Sequence, residues 1–150
     1  VDLVSNFVPK DKVIVSTIDK YGNKEESVSK GGIAQGMPLV VLIDGGTASA
    51  SEIVAGAIRD YDLGTLVGTT SFGKGIVQVV LDKIGQEKDG TALKVTISKY
   101  YTPNGENIHK KGIGPDITVE YPKELKEKTY SRSTDPQFEK ALEIIQEKIK

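Results

Sequence analysis

Leu39-Val40-Val41-Leu42-Ile43-Asp44-Gly45-Gly46-Thr47-Ala48-Ser49-Ala50-Ser51-Glu52 joins an apolar run, a glycine turn and a polar entry into a periodic segment. The five apolar residues lie between Pro38 and Asp44, and such a run suits a strand buried on both faces of a helix-covered sheet. Ile53, Val54, Ala57, Ile58 and Tyr61 then recur at three- and four-residue spacing, which predicts a helix over residues 48–60. Strand, tight turn and helix make one α/β unit. In open α/β sheets, ligand sites gather at the carboxyl ends of strands, where this glycine turn falls.

Upstream, residues 1–7 read as the end of a helix stopped by Pro9. Residues 13–18 read as a strand, Tyr21-Gly22-Asn23 as a turn, and residues 25–29 as a weaker returning strand. Downstream, residues 65–68 and 76–81 are short strands. Residues 93–101 alternate, with Leu93, Val95, Ile97 and Lys99 on one side and Lys94, Thr96, Ser98 and Tyr100 on the other. Pro103-Asn104-Gly105 is turn chemistry, Asp116 shapes a second turn, and residues 117–119 form a last short strand. The chain divides into a core over 1–122, a polar linker over 123–134 and an amphipathic helix over 135–150. That helix opens on a cap and a proline, Asp135-Pro136, and carries the stripe Phe138, Ala141, Leu142, Ile145 and Ile149.

The 150 residues suffice for one domain with a real core. A formal charge of −1 gives no footprint for nucleic acid. No apolar run approaches the ~20 residues of a membrane span. There is no cysteine, which excludes disulfides and thiolate metal sites, and His109 is the one histidine. The chain begins at Val1 without a signal-like stretch and reads as part of something longer.

Two residues carry candidate chemistry. Ser49-Ala50-Ser51-Glu52 fits the S-x-x-E capping box, in which serine and glutamate satisfy free donors at a helix start. The same geometry sets a hydroxyl beside backbone N–H groups able to hold an oxyanion, with Ala50 N–H as the nearest donor. Lys74 lies in Phe72-Gly73-Lys74-Gly75, where the glycines allow close backbone approach ahead of an apolar strand. A lysine withdrawn from water can serve as a general base for a serine, with no histidine required. Extended chain from Lys74 places Gln78 on its face, where it could accept from the amine. On these residues alone, Ser49 as a plain cap, Lys74 as a solvated charge and Gln78 as an edge polar residue stay open.

Residues 68–75 satisfy the phosphate-loop pattern G-x-x-x-x-G-K except at its last position, where Gly75 replaces the hydroxyl residue. A β-like segment follows instead of a helix, and nucleotide binding is set aside. His109, among Asn107, Lys110 and Lys111, reads as a solvated loop residue. No carboxylate spacing suggests a glycosidase pair or a metal cluster.

Four motifs in order resemble the carboxyl-terminal processing proteases, or tail-specific proteases. They are residues 46–53, Phe72-Gly73-Lys74-Gly75 with Val77 and Gln78, Tyr100-Tyr101-Thr102-Pro103 with Gly105, and Lys111-Gly112-Ile113 with Pro115 and Asp116. The resemblance runs over residues 1–121. It implies an α/β fold like the crotonase and Clp-type protease core, with a mixed, mostly parallel sheet and flanking helices. It implies a serine endopeptidase that cleaves proteins near their C-termini, with Ser49 as nucleophile, Lys74 as general base and Gln78 orienting the lysine. Glu52 matches a motif glutamate, read here as support for the helix start. The resemblance implies action outside the bacterial cytoplasm, or in the thylakoid lumen, on protein tails, and the Ser-Lys chemistry implies no metal or organic cofactor. Members of the family usually carry a PDZ domain, which nothing in this chain resembles. Association with a second copy to cover a sheet edge is a further expectation. The rival readings are a non-catalytic structural fragment and a crotonase-like acyl-CoA enzyme.

Overall fold

In a computed structural model, residues 1–82 and 90–150 are described. A short helix α1 (Asp2–Ser5) leads into a hairpin of β1 (Val13–Asp19) and β2 (Lys24–Val28). Its turn is closed by Asp19 Oδ1, which accepts from Tyr21 N and Asn23 N at 2.8 and 2.9 Å. The α/β unit follows as β3 (Val40–Ile43), α2 (Ala50–Asp60) and β4 (Thr65–Gly68). Next come β5 (Ile76–Leu81), β6 (Leu93–Tyr101) and the two-residue β7 (Ile117–Thr118). The chain ends with α3 (Lys123–Lys126), a 3-10 turn (Arg132–Thr134) and α4 (Pro136–Lys148).

The described strands form two sheets. One is antiparallel, ordered β2-β1-β6-β5; the other is parallel, ordered β3-β4-β7. The expected α/β core is present, with parallel pairing confined to the smaller sheet, where α2 makes the crossover from β3 to β4. Helix α2 touches β1 of one sheet and β4 of the other. Val4, Val8, Ile14, Ile43, Ile58 and Leu66 make the shared core.

Four features depart from the expected pattern. Leu42 is 40% exposed because β3 is the edge strand of its sheet, so the run is not buried on both faces. On α2 the small residues Ala55 and Gly56 are buried beside Ala57 and Ile58. A Cβ at Gly56 would come within 3.1 Å of Thr102 Cγ2, and this wedged helix needs its narrow face as well as its apolar one. On α4 Ile144 is the buried aliphatic, while Leu142 and Ile149 are exposed. The most consequential departure is in β6. Its pairing shifts register, with Val77 opposite Ser98 but Gln78 opposite Thr96, leaving Ile97 as an extra residue. Such a bulge re-aims the side chains beyond it, and Tyr100 is only 4% exposed.

Candidate active site

The turn after β3 is built by Asp44. Its Oδ1 accepts from Gly46 N at 2.9 Å and Thr47 N at 3.1 Å, while Thr47 Oγ1 accepts from Asp44 N at 3.0 Å. These bonds end the strand and lift the chain out of the sheet edge. Ser49 follows with φ 58° and ψ −117°, so the helix starts at Ala50, later than the sequence pattern predicts. A non-glycine residue held in such a conformation costs on the order of 1–3 kcal/mol and persists only where its surroundings over-determine it.

The surroundings here converge on Glu52. It is fully buried, and among the described residues no cation bonds its carboxylate; the partners are neutral N–H and O–H groups. Oε2 accepts Ser49 N and Lys74 N, each at 2.9 Å. Oε1 accepts Gly73 N at 2.6 Å and the Ser71 hydroxyl at 2.5 Å. Burial pushes the carboxyl upward, but the bonds from Ser71, Lys74, Gly73 and Ser49 outweigh it and hold the group below its ordinary value. Glu52 thus does more than complete the capping box. It ties the start of α2 to the Gly73-Lys74-Gly75 segment, and Phe72 N adds a bond of 2.9 Å to Thr47 O.

The opposite side of that segment rests on the loop after β6. Lys110 N donates to Gly73 O at 2.8 Å, and Asn107 Nδ2 donates to Gly75 O at 3.1 Å and to Tyr100 O at 2.7 Å. A Cβ on Gly75 would lie 2.6 Å from His109 N, and one on Gly73 would lie 2.8 Å from Gly112 N. Both glycines are therefore required for close backbone approach. Gly73 also adopts φ 84°. His109 is not the solvated loop residue expected from its polar neighbours. It is half-buried over Gly75, with Nδ1 sealed from water and, among the described residues, unpartnered. Asp116 fills its turn role by a tertiary bond, accepting Leu66 N at 2.7 Å.

The expected site residues are accordingly placed as follows. Ser49 and Lys74 are both half-buried and share one carboxylate oxygen through their backbones, so their nitrogens lie no further apart than twice 2.9 Å. Among the described residues no hydrogen bond joins Ser49 Oγ to Lys74 Nζ. Ala50 is exposed at the first position of α2, and no acceptor among the described residues meets its N–H. Gln78 does not receive the Lys74 amine; its own amide donates to Thr96 Oγ1 at 3.2 Å, across the shifted pairing of β5 and β6. Ser71 and Asn107, which brace both loops, carry no local signal of that task. Tyr100 lies within a sequence motif, but its inward aim depends on the bulge.

The arrangement can expose an alcohol at a strained turn, a free amide beside it and a lysine on an adjoining segment, all indexed to one buried anion. Comparisons with known proteins agree with this architecture. The description "Peptidase family S41" matches residues 1–119. The carboxyl-terminal-processing protease of Synechocystis is 39% identical over 145 residues, covering 97% of this chain and 33% of that protein. The carboxy-terminal-processing protease of Bartonella bacilliformis is 44% identical over 131 residues, covering 77% of this chain and 29% of that protein. Among solved structures, the photosystem II D1 C-terminal processing protease superposes with a TM-score of 0.69 at 36% identity, covering 79% of this chain and 30% of that one. The chain thus spans about a third of the length of these relatives. With its strand-turn-helix unit, its buried glutamate and a family match over most of its length, the chain belongs to peptidase family S41.

Proposed function

We propose that this chain carries the catalytic residues of a serine endopeptidase that cleaves protein substrates near their C-termini. The supporting observation is the Glu52 carboxylate, which holds the backbones of Ser49 and Lys74 at one oxygen. In this reading the uncharged Lys74 amine takes the Ser49 hydroxyl proton as Oγ attacks the scissile carbonyl carbon. The oxyanion forms against Ala50 N–H. Collapse breaks the C–N bond, and the Lys74 ammonium returns its proton to the leaving amine. Water, deprotonated by the same lysine, then releases the acyl group and restores Ser49. Gln78 orients the lysine once its amide leaves Thr96. Side chains, one backbone amide and water supply every step, with no metal or cofactor called upon.

Residues 1–122 act as the core, 123–134 as the connection, and 135–150 as a docked helix. The full-length protein would add a PDZ domain to capture protein tails, and it would work outside the cytoplasm, as the family resemblance implies. Among the described residues no helix is long and apolar enough to cross a membrane. The deciding experiment compares Ser49→Ala and Lys74→Ala with the unaltered full-length protein on substrates differing only in their tails. Loss of cleavage in both variants, with folding intact, is the expected result. Retained cleavage in either variant overturns the assignment.

A further inference from the structure

Tyr100 is a buried phenol from β6, in the antiparallel sheet, whose hydroxyl reaches the turn that leaves the parallel one. Its O–H donates toward Ser49 O at 3.3 Å and toward Glu52 Oε2 at 3.5 Å. Ser49 O also accepts Glu52 N at 2.9 Å and Ile53 N at 3.1 Å. The Ser49 carbonyl is therefore held from the buried side by donors of its own helix and by one from the other sheet.

That carbonyl belongs to the same rigid plane as Ala50 N–H. The Ser49–Ala50 peptide is trans, so its C=O and N–H point in opposite directions. Fixing the carbonyl inward aims the N–H outward, and Ala50 is exposed with its N–H unengaged among the described residues. The helix donors alone leave the plane free to rock with the first turn of α2, where a helix frays most readily. A phenol anchored in a different sheet opposes that motion. Burial, then the charge and hydrogen bond of Glu52, push the phenol well above its ordinary value, which keeps it a donor across the neutral range.

The geometry points to Tyr100 as a positioning residue that sets the Ala50 N–H donor through the Ser49 peptide plane. This rests on the Ser-Lys reading above and adds a residue for which that reading has no use. The bulge at Ile97 is part of the device, because β6 without the extra residue would turn the phenol to the opposite face.

The test is phosphonylation of Ser49 by a fluorophosphonate in the full-length protein, a step that forms an O–P bond and expels fluoride as the serine proton passes to Lys74. Tyr100→Phe, Tyr101→Phe and Ser49→Ala are compared with the unaltered protein. Tyr100→Phe is expected to lower the limiting labelling rate about tenfold at unchanged half-saturating probe concentration, whereas Tyr101→Phe labels normally. Amide exchange supplies a second measurement, made on the unaltered protein and on Tyr100→Phe. In the unaltered protein Ala50 N–H should exchange at least about tenfold faster than Ser49 N–H, and in Tyr100→Phe the Ser49 amide should lose part of its protection. Normal labelling of Tyr100→Phe, a loss confined to probe affinity, or equal protection of the two amides overturns the positioning role while the Ser-Lys reading stands. If the unaltered protein is not labelled at Ser49, the catalytic reading itself fails and takes the positioning role with it.

Discussion

Lys74 donates its backbone N–H to Glu52 at 2.9 Å, and the accepting oxygen, Oε2, is the one that also receives Ser49. The lysine segment and the serine turn come from separate loops, so their relative placement is set by this carboxylate and the Phe72 N–Thr47 O bond beside it, and not by chain connectivity. A full negative charge sits in the core because its neutral donors, and its place in the first turn of α2, favour the ionised form.

Glu52→Gln therefore should do more than weaken a helix cap. An amide presents an NH2 group to a ring of donors and leaves at least one of them unpaired. We expect a loss of about 3 kcal/mol in denaturant unfolding, together with loss of cleavage.

The same group makes stability depend on acid. Its folded value lies below the ordinary 4.5, so between the two values the unfolded chain binds more protons than the folded one. The Glu52 contribution is complete above pH 4.5 and disappears as pH falls through the lowered folded value. Urea midpoints taken from neutral pH downward should fall more steeply in the unaltered protein than in Glu52→Gln. Parallel curves would contradict this account.

Ser49→Gly should be more stable than Ser49→Ala, with turnover lost in both. Glycine adopts φ 58°, ψ −117° without the Cβ penalty, and relief of about 1 kcal/mol is expected relative to Ser49→Ala. Thermal or chemical unfolding of the two variants provides the comparison.

Gly75→Ala drives a methyl group into His109 N at 2.6 Å, a contact that neither backbone can relieve by rotation. A destabilisation of about 2 kcal/mol is expected, with activity lost because Lys74 moves with its neighbour. Gly45→Ala is the control: a Cβ there meets nothing within 4 Å, so stability should be unchanged.

Asp135→Ala should cost about 1 kcal/mol by removing the cap of α4. Its Oδ1 accepts Gln137 N at 2.9 Å and Phe138 N at 3.1 Å. Asp135→Asn should recover most of the loss, as read by the thermal midpoint.

Much of this protein was legible before folding was considered. The strand, turn and helix around Ser49, the hairpin at Gly22 and the Asp135-Pro136 start of α4 all follow from spacing and turn chemistry, because a few consecutive residues decide each. That the glycines on both sides of Lys74 allow close backbone approach was also readable, and the fold makes them necessary. Tertiary pairing alone decided that β3 lies at an edge and exposes Leu42, that the Gln78 amide bonds Thr96, and that His109 is folded over Gly75. The clearest case is Tyr100, which simple alternation sets opposite Leu93 and Val95. One extra residue, Ile97, changes the parity of everything after it, and no local preference of β6 announces that. Local conformation is an energy of neighbours along the chain, whereas strand order, register and the partners of a buried carboxylate are energies of segments that meet only once the chain has folded.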